Sequence, residues 1–131
     1  MRITGIDHLV LTVASIEAAV DFYSRVLGME VITFGQGRTA LRLGGQKINL
    51  HVARAPIAPH ADHPVPGSAD LCLVAVGGID AVAAHLAACG VPVELGPVDR
   101  AGARGPVRSL YVRDPDRNLV ELAFYDGAAE A

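Results

Sequence analysis

Positive charge is scarce in this chain and widely scattered. Lysine and arginine total 11 in 131 residues against 14 aspartates and glutamates, which leaves a formal net charge of -3 at pH 7. With no basic cluster and no aromatic ladder, the sequence argues against nucleic acid and acidic membranes as partners. Cysteine is limited to Cys72 and Cys89, without CxxC or metal-finger spacing, so two reduced thiols are expected. No apolar run reaches the roughly 18 residues of a membrane span. The opening Met1-Arg2-Ile3-Thr4-Gly5 passes straight into strand pattern with no basic segment or cleavage site, and a cytoplasmic location is expected.

What remains is 51% hydrophobic and 19% charged, enough for one cooperative domain with a real core. Ile3 to Val13 is β-branched and aliphatic and reads as a strand with Ile6, His8, Val10 and Thr12 on one face and Leu9, Leu11 and Val13 on the other. Ser15 is suited to cap a helix in which Ile16, Ala19, Val20, Tyr23, Val26 and Leu27 recur every three or four residues, Asp21 pairs with Arg25, and Gly28 ends the run. Strands follow over 29–34, 38–43 and 46–52, separated by glycine-containing hairpin breaks. In the last of them Lys47, Asn49 and His51 share a polar face.

A connector over 53–67 carries Pro56, Pro59, Pro64 and Pro66, so its His60 and His63 read as solvated or turn-bonded side chains. A strand over 69–76 then aligns Asp70, Cys72 and Val74. A helix over 79–89 has Ile79, Val82, Ala83 and Leu86 inward, with His85 on its surface, and ends at Gly90. A short strand broken by Pro92 and Pro97, a loop over 99–106, and strands over 107–112 and 119–125 complete the pattern. The last two are joined by the turn-forming Arg113-Asp114-Pro115-Asp116-Arg117-Asn118. The tail 126–131 is expected to fray.

The chain therefore reads as an α+β fold of two β-α-β-β-β modules, 1–52 and 68–126. His8 and Asp70 lie 62 residues apart, as do the helix-ending Gly28 and Gly90, while His51 and Glu121 lie 70 apart, the longer second loop absorbing the difference. Two imidazoles and two carboxylates thus fall on the first and last strands of the two modules. If these pack about a pseudo-twofold axis, all four converge into a mixed N/O site for Mn, Fe, Ni, Co or Zn. Burying Asp70 and Glu121 on a strand face would be costly without such a cation.

Gly5-Ile6-Asp7-His8-Leu9-Val10-Leu11-Thr12-Val13, Phe22-Tyr23, Leu27-Gly28-Met29 and Asp114-Pro115-Asp116-Arg117-Asn118-Leu119-Val120-Glu121 resemble the vicinal oxygen chelate superfamily of glyoxalases, bleomycin-resistance proteins and extradiol dioxygenases. Gln46-Lys47-Ile48-Asn49-Leu50-His51, His63-Pro64-Val65-Pro66-Gly67-Ser68 and Gly96-Pro97-Val98 look most like glyoxalase domain-containing and bacterial lactoylglutathione-lyase-like proteins. The resemblance implies a single domain with a cupped mixed sheet, often as a homodimer, and a divalent metal on the cup floor held by His8, His51 and Glu121, with Asp70 in fourth place. Glyoxalase I carries Glu at the place of His51 and His, Gln or Glu at that of Asp70. Fosfomycin thiol transferases and dioxygenases take His at the latter, so their activities are less supported.

The expected function is a metal-dependent enzyme acting on a small oxygen-chelating substrate, with Glu121 or Asp70 as base and Lys47 and Asn49 as substrate contacts. The rival expectation is a metal-free, drug- or metabolite-binding dimer of the bleomycin-resistance kind.

Overall fold

The computed structural model describes residues 1–125, so the tail 126–131 lies outside the described residues. The chain divides into two units, Met1–Ser68 and Ala69–Ala131, each with its own sheet. The first contains β1 (His8–Val13), α1 (Ile16–Asp21), a π-helical turn (Phe22–Val26), β2 (Glu30–Phe34), β3 (Arg38–Leu43) and β4 (Gln46–Val52). Its strand order is β1-β4-β3-β2, with β1 parallel to β4 and the other pairs antiparallel. The second contains β5 (Asp70–Val74), α2 (Ile79–Ala88), β6 (Leu95–Gly102), β7 (Gly105–Arg113) and β8 (Leu119–Tyr125), in the equivalent order β5-β8-β7-β6. The α+β class and the repeated β-α-β-β-β order stand as expected.

In the first unit the apolar strand face is buried through Leu11, Val13, Leu41, Ile48 and Leu50, and the helical segment contributes Ala19, Phe22, Tyr23 and Val26. Full burial of side chains of this size stabilises by about 1.5–3 kcal/mol each. Ser15 caps α1 as expected, its Oγ accepting from the Ala18 amide at 3.1 Å. Arg25 forms a fork on Asp21 at 3.0 Å for both bonds and holds that carboxyl below its ordinary range. Beyond Asp21 the turns widen, the Leu27 amide reaching back five residues to the Phe22 carbonyl. Phe22, Tyr23 and Val26 are all buried in this wider turn, with the two rings edge to face at 5.1 Å.

Two element boundaries differ from expectation. The first strand begins at His8 rather than Ile3, because its ladder partner begins there too: His8 lies opposite Lys47, near the start of β4. Ile3 and Ile6 have no strand beside them and stay exposed. In the second unit the expected loop over 99–106 is mostly strand, since β6 and β7 form a hairpin whose register closes at Gly102 opposite Gly105. Pro97 is accommodated by a register shift between Leu95 and Val98. Gly96 is required there twice over, by its φ of 121° and because a Cβ would strike the Ser109 carbonyl.

The Asp114–Asn118 turn fixes where β8 begins. Asp114 Oδ1 accepts from the Asp116 and Asn118 amides, both at 2.9 Å, and its Oδ2 accepts from Asn118 Nδ2 at 2.8 Å. The Asn118 Oδ1 then takes the Ala69 amide at 2.9 Å, tying the turn to the entry of β5. Both side chains are buried, so Asp114→Ala strands several donors. It is expected to cost about 2–4 kcal/mol in urea unfolding at unchanged m value. Arg117, at φ 70°, should tolerate Gly at no loss or with a small gain.

Candidate functional site

The strand face of the first unit opposite its buried apolar face is organised in three rows, because register partners point the same way. His8, Lys47, Arg42 and Glu30 form one row; Val10, Asn49, Ala40 and Ile32 the next; Thr12, His51, Arg38 and Phe34 the third. Arg42 meets Glu30 at 3.6 Å. Lys47 leans from the first row to the third, its Nζ 3.6 Å from the Phe34 ring centroid, and the Arg38 guanidinium lies over the same ring at 4.8 Å. Arg38 Nη2 also reaches His51 Nε2 at 3.3 Å.

His8 and His51 do share a face, yet they are not neighbours on it. Four residues of strand separate their rows, about 13 Å at the ordinary strand rise. His8 suits a metal: Asp7 Oδ1 sits 2.8 Å from its Nδ1, which directs the Nε2 lone pair outward, and its side chain is 45% exposed. His51 suits one poorly. It is 5% exposed, its Nε2 already takes the Arg38 donor, and burial followed by the charges of Arg38 and His60 holds its pKa below the usual histidine range. The connector histidines remain with chain neighbours, His60 on the Ala61 carbonyl at 2.9 Å and His63 near Asp62 at 3.7 Å.

In the second unit Cys72, Glu121 and Tyr111 occupy one row, and Asp70, Leu119 and Arg113 the adjacent one. Asp70 and Glu121 are therefore diagonal neighbours, about 7 Å apart along the strands. Ser109, fully buried, donates from Oγ to Glu121 Oε2 at 2.7 Å and fixes the carboxylate's orientation. Glu121 has no Lys, Arg or His ion pair among the described residues. Asp70 is exposed, and its charge is felt by Arg113, which forks onto Glu94 at 2.9 and 3.1 Å. Within neither unit do three or more His, Cys, Asp or Glu side chains gather around a metal position among the described residues. By chemistry, His8, Asp70 and Glu121 are donors a divalent ion could use; His51 is committed elsewhere.

Lys47 and Asn49, expected as substrate contacts, flank and fill the middle of the cationic face. The Asn49 side chain is 4% exposed and its Oδ1 has no partner. Phe34 and Ser109 were not singled out by the sequence; Cys72 was read only as a reduced thiol, and Arg38 only as one of four arginines, with Arg42, Arg104 and Arg108, available for a substrate carboxylate but not placed. The signal for Arg38 and Ser109 was strand parity, which needs the hairpin register before it assigns a face.

The family described as Glyoxalase/Bleomycin resistance protein/Dioxygenase superfamily matches residues 5–122. A protein of Salmonella typhimurium named as a virulence protein is 47% identical over 125 residues, 95% of this chain and 87% of that one. Its crystal structure superposes with a TM-score of 0.93 over 95% of this chain and 99% of the other. A glyoxalase domain-containing protein of Mycosarcoma maydis is 49% identical over 98% of this chain and 72% of its own length. The lactoylglutathione lyase of Agrobacterium tumefaciens is 26% identical, with a TM-score of 0.71 over 94% of this chain and 95% of that one.

Both cysteines are free thiols. Although Cys72 is exposed as a residue, partial burial of its thiol, then the charge and hydrogen bond of Glu121 and the charge of Asp70, push its pKa up to about 11. The thiol thus stays protonated through neutral pH and becomes thiolate only as the pH nears that value. Alkylation of Cys72 by iodoacetamide at pH 8 should run more than about tenfold slower than that of an unperturbed cysteine. Glu121→Gln should recover part of the rate, the burial effect remaining.

Proposed function

Since the chain belongs to the glyoxalase/bleomycin resistance protein/dioxygenase superfamily, we propose that it is a divalent-metal-dependent enzyme of lyase or isomerase type acting on a small oxygen-chelating substrate. The observation that carries this reading is Glu121, a half-buried carboxylate oriented by the Ser109 hydroxyl and supplied with no cation by the described residues around it. Removing an acid from water in this way is costly unless a cation completes it. Its diagonal neighbour Asp70 adds a second carboxylate on the same sheet face.

We propose His8, Asp70 and Glu121 as the metal donors and leave His51, also expected as a donor, to Arg38. A divalent ion held there would supply Lewis-acid polarisation of substrate oxygens. Glu121, loosely bound to the ion and with its carboxylate oriented by the Ser109 hydroxyl, is the general base that would take a proton from carbon and return it to the adjacent one. In a lactoylglutathione-lyase-like reaction that transfer runs between neighbouring carbons of a thiohemiacetal. Asp70, exposed beside it, is the alternative base. Lys47 and Asn49 bind and orient substrate, and Phe34, half-buried, shields their inner side from water.

In this reading 1–131 is one domain, the two units being its halves joined across 53–67, and it works as a cytoplasmic homodimer on a small molecule. Exposed aliphatic side chains on the edge strands, Leu9 and Val10 on β1 and Val74 on β5, support self-association. No helix among the described residues is long and apolar enough to cross a membrane.

Metal analysis after purification without added ions tests the reading directly. About one divalent ion per chain is expected, lost in His8→Ala and Glu121→Ala and retained in His51→Ala. With the methylglyoxal–glutathione hemithioacetal under Ni, Co, Mn, Fe or Zn, Glu121→Ala should lower kcat by roughly 10²–10⁴. Absence of turnover under every ion removes the lactoylglutathione-lyase assignment. Substoichiometric metal that neither substitution changes favours the metal-free binding protein instead.

A further inference from the structure

We propose that Arg38, Lys47, Asn49 and His51, gathered about Phe34, form a recognition subsite for a small hydroxy acid, the cations taking its carboxylate and the Asn49 carbonyl its hydroxyl. This deepens the substrate side of the function proposed above and rests on it only in treating the bound acid as part of a substrate.

Hydrogen-bond bookkeeping carries the inference. A guanidinium donates and never accepts, so at the 3.3 Å contact with Arg38 the His51 Nε2 must be the acceptor. The ring proton therefore sits on Nδ1, and that N–H is buried without a partner. Two residues along the same strand face, Asn49 Oδ1 is buried without a donor. Buried polar atoms left in this way are rare in folded proteins and point to a group not yet present. One orphan asks for an acceptor and the other for a donor, so a bare anion satisfies only half of the need.

The charges supply the rest. Lys47 and Arg38 converge on one aromatic ring, and neither has a carboxylate partner among the described residues. Arg42, in the row of Lys47, has Glu30; Arg25 has Asp21; Arg113 has Glu94. Lys47 reaches the third row from the first and so passes the row of Asn49, where the strand opposite presents only Ala40. Two unneutralised cations, a buried N–H and a buried carbonyl oxygen lie within three rows of one sheet face. A carboxylate with a hydroxyl on the adjacent carbon offers acceptors to the first three and a donor to the last.

The test uses the full-length, EDTA-treated protein and three probes: glycolate, acetate without the hydroxyl, and glycolamide without the charge. Affinities are read from 15N-NMR titrations following Asn49 and His51. Glycolate is expected to bind at least tenfold more tightly than either control. Lys47→Met and Arg38→Met, which keep apolar bulk at the ring, should each cost at least tenfold for glycolate, and Asn49→Leu should reduce glycolate to the level of acetate. Equal affinities for the three probes overturn the subsite, as does unaltered glycolate binding in both cation variants. If Asn49→Leu fails to fold, the probe comparison on the unaltered protein and the Lys47 variant decide. A protein that prefers glycolate but holds no metal loses the enzyme assignment and keeps the subsite; one that holds metal without preferring glycolate does the reverse.

Discussion

The parallel ladder between the first and last strand of each unit decides which side chains share a row, because partners in a parallel pair point the same way. One residue of slip would turn every side chain over to the opposite face. In the first unit the ladder runs from His8 opposite Lys47 to Val13 opposite Val52, which sends Leu11, Val13, Ile48 and Leu50 into the core. Burial of that apolar set fixes the register. The polar set on the other face inherits its spacing from it, including the four residues that part His8 from His51. In the second unit the same logic places Glu121 level with Cys72, two residues from Asp70, and the Asp114–Asn118 turn anchors the register by binding the Ala69 amide.

A sheet with one greasy face and one polar face is ordinary, but these polar faces are partly dry. Asn49, His51 and Ser109 are as buried as core residues. Ser109 is satisfied by Glu121, whereas Asn49 and His51 each leave an atom unpartnered. An unpaired buried polar atom costs about 1–3 kcal/mol, and the first unit carries two on adjacent rows. Such a cost is sustained by the apolar face beneath, where Tyr23, Leu41 and Ile48 are almost wholly removed from water. Apolar burial is concentrated on one face of each sheet and the polar side chains on the other.

The fold was legible because its signals are local. Alternation in β1 and β4, the Ser15 cap, the helix-ending glycines at 28 and 90 and the Asp-Pro turn each identify an element without knowledge of its neighbours. What was not legible depends on partners. Ile3 to Asp7 has strand composition but no strand to pair with. The run over 99–106 looks like a loop until its register with β7 supplies the hydrogen bonds. The π-helical turn follows from the packing of Phe22, Tyr23 and Val26 rather than from their spacing. For the site, face parity correctly grouped Lys47, Asn49 and His51, but a periodicity of two says nothing about distance along the strand. That is why His8 and His51 read as convergent while the register sets them about 13 Å apart. Arg38 was visible only as one of several unplaced cations.

Placing His51 with Arg38 rather than with a metal also follows from electrostatics. A divalent ion on Nε2 would displace the Arg38 donor and then stand close to its charge. At about 4 Å and an effective dielectric of about 20, two charges against one amount to roughly 8 kcal/mol of repulsion, before Lys47 is counted. Glu121 and Asp70 present the opposite field, two carboxylates, and Arg113, which feels the charge of Asp70, is already forked onto Glu94. Cations are drawn to the row of Glu121 and repelled from the row of His51, while anions experience the reverse. An acid substrate and a divalent ion thus need not compete for the same side chains. The residues that sequence parity presents as one ligand set differ in their surroundings: the polar face of the first unit is cationic about Arg38 and Lys47, and that of the second is acidic about Asp70 and Glu121.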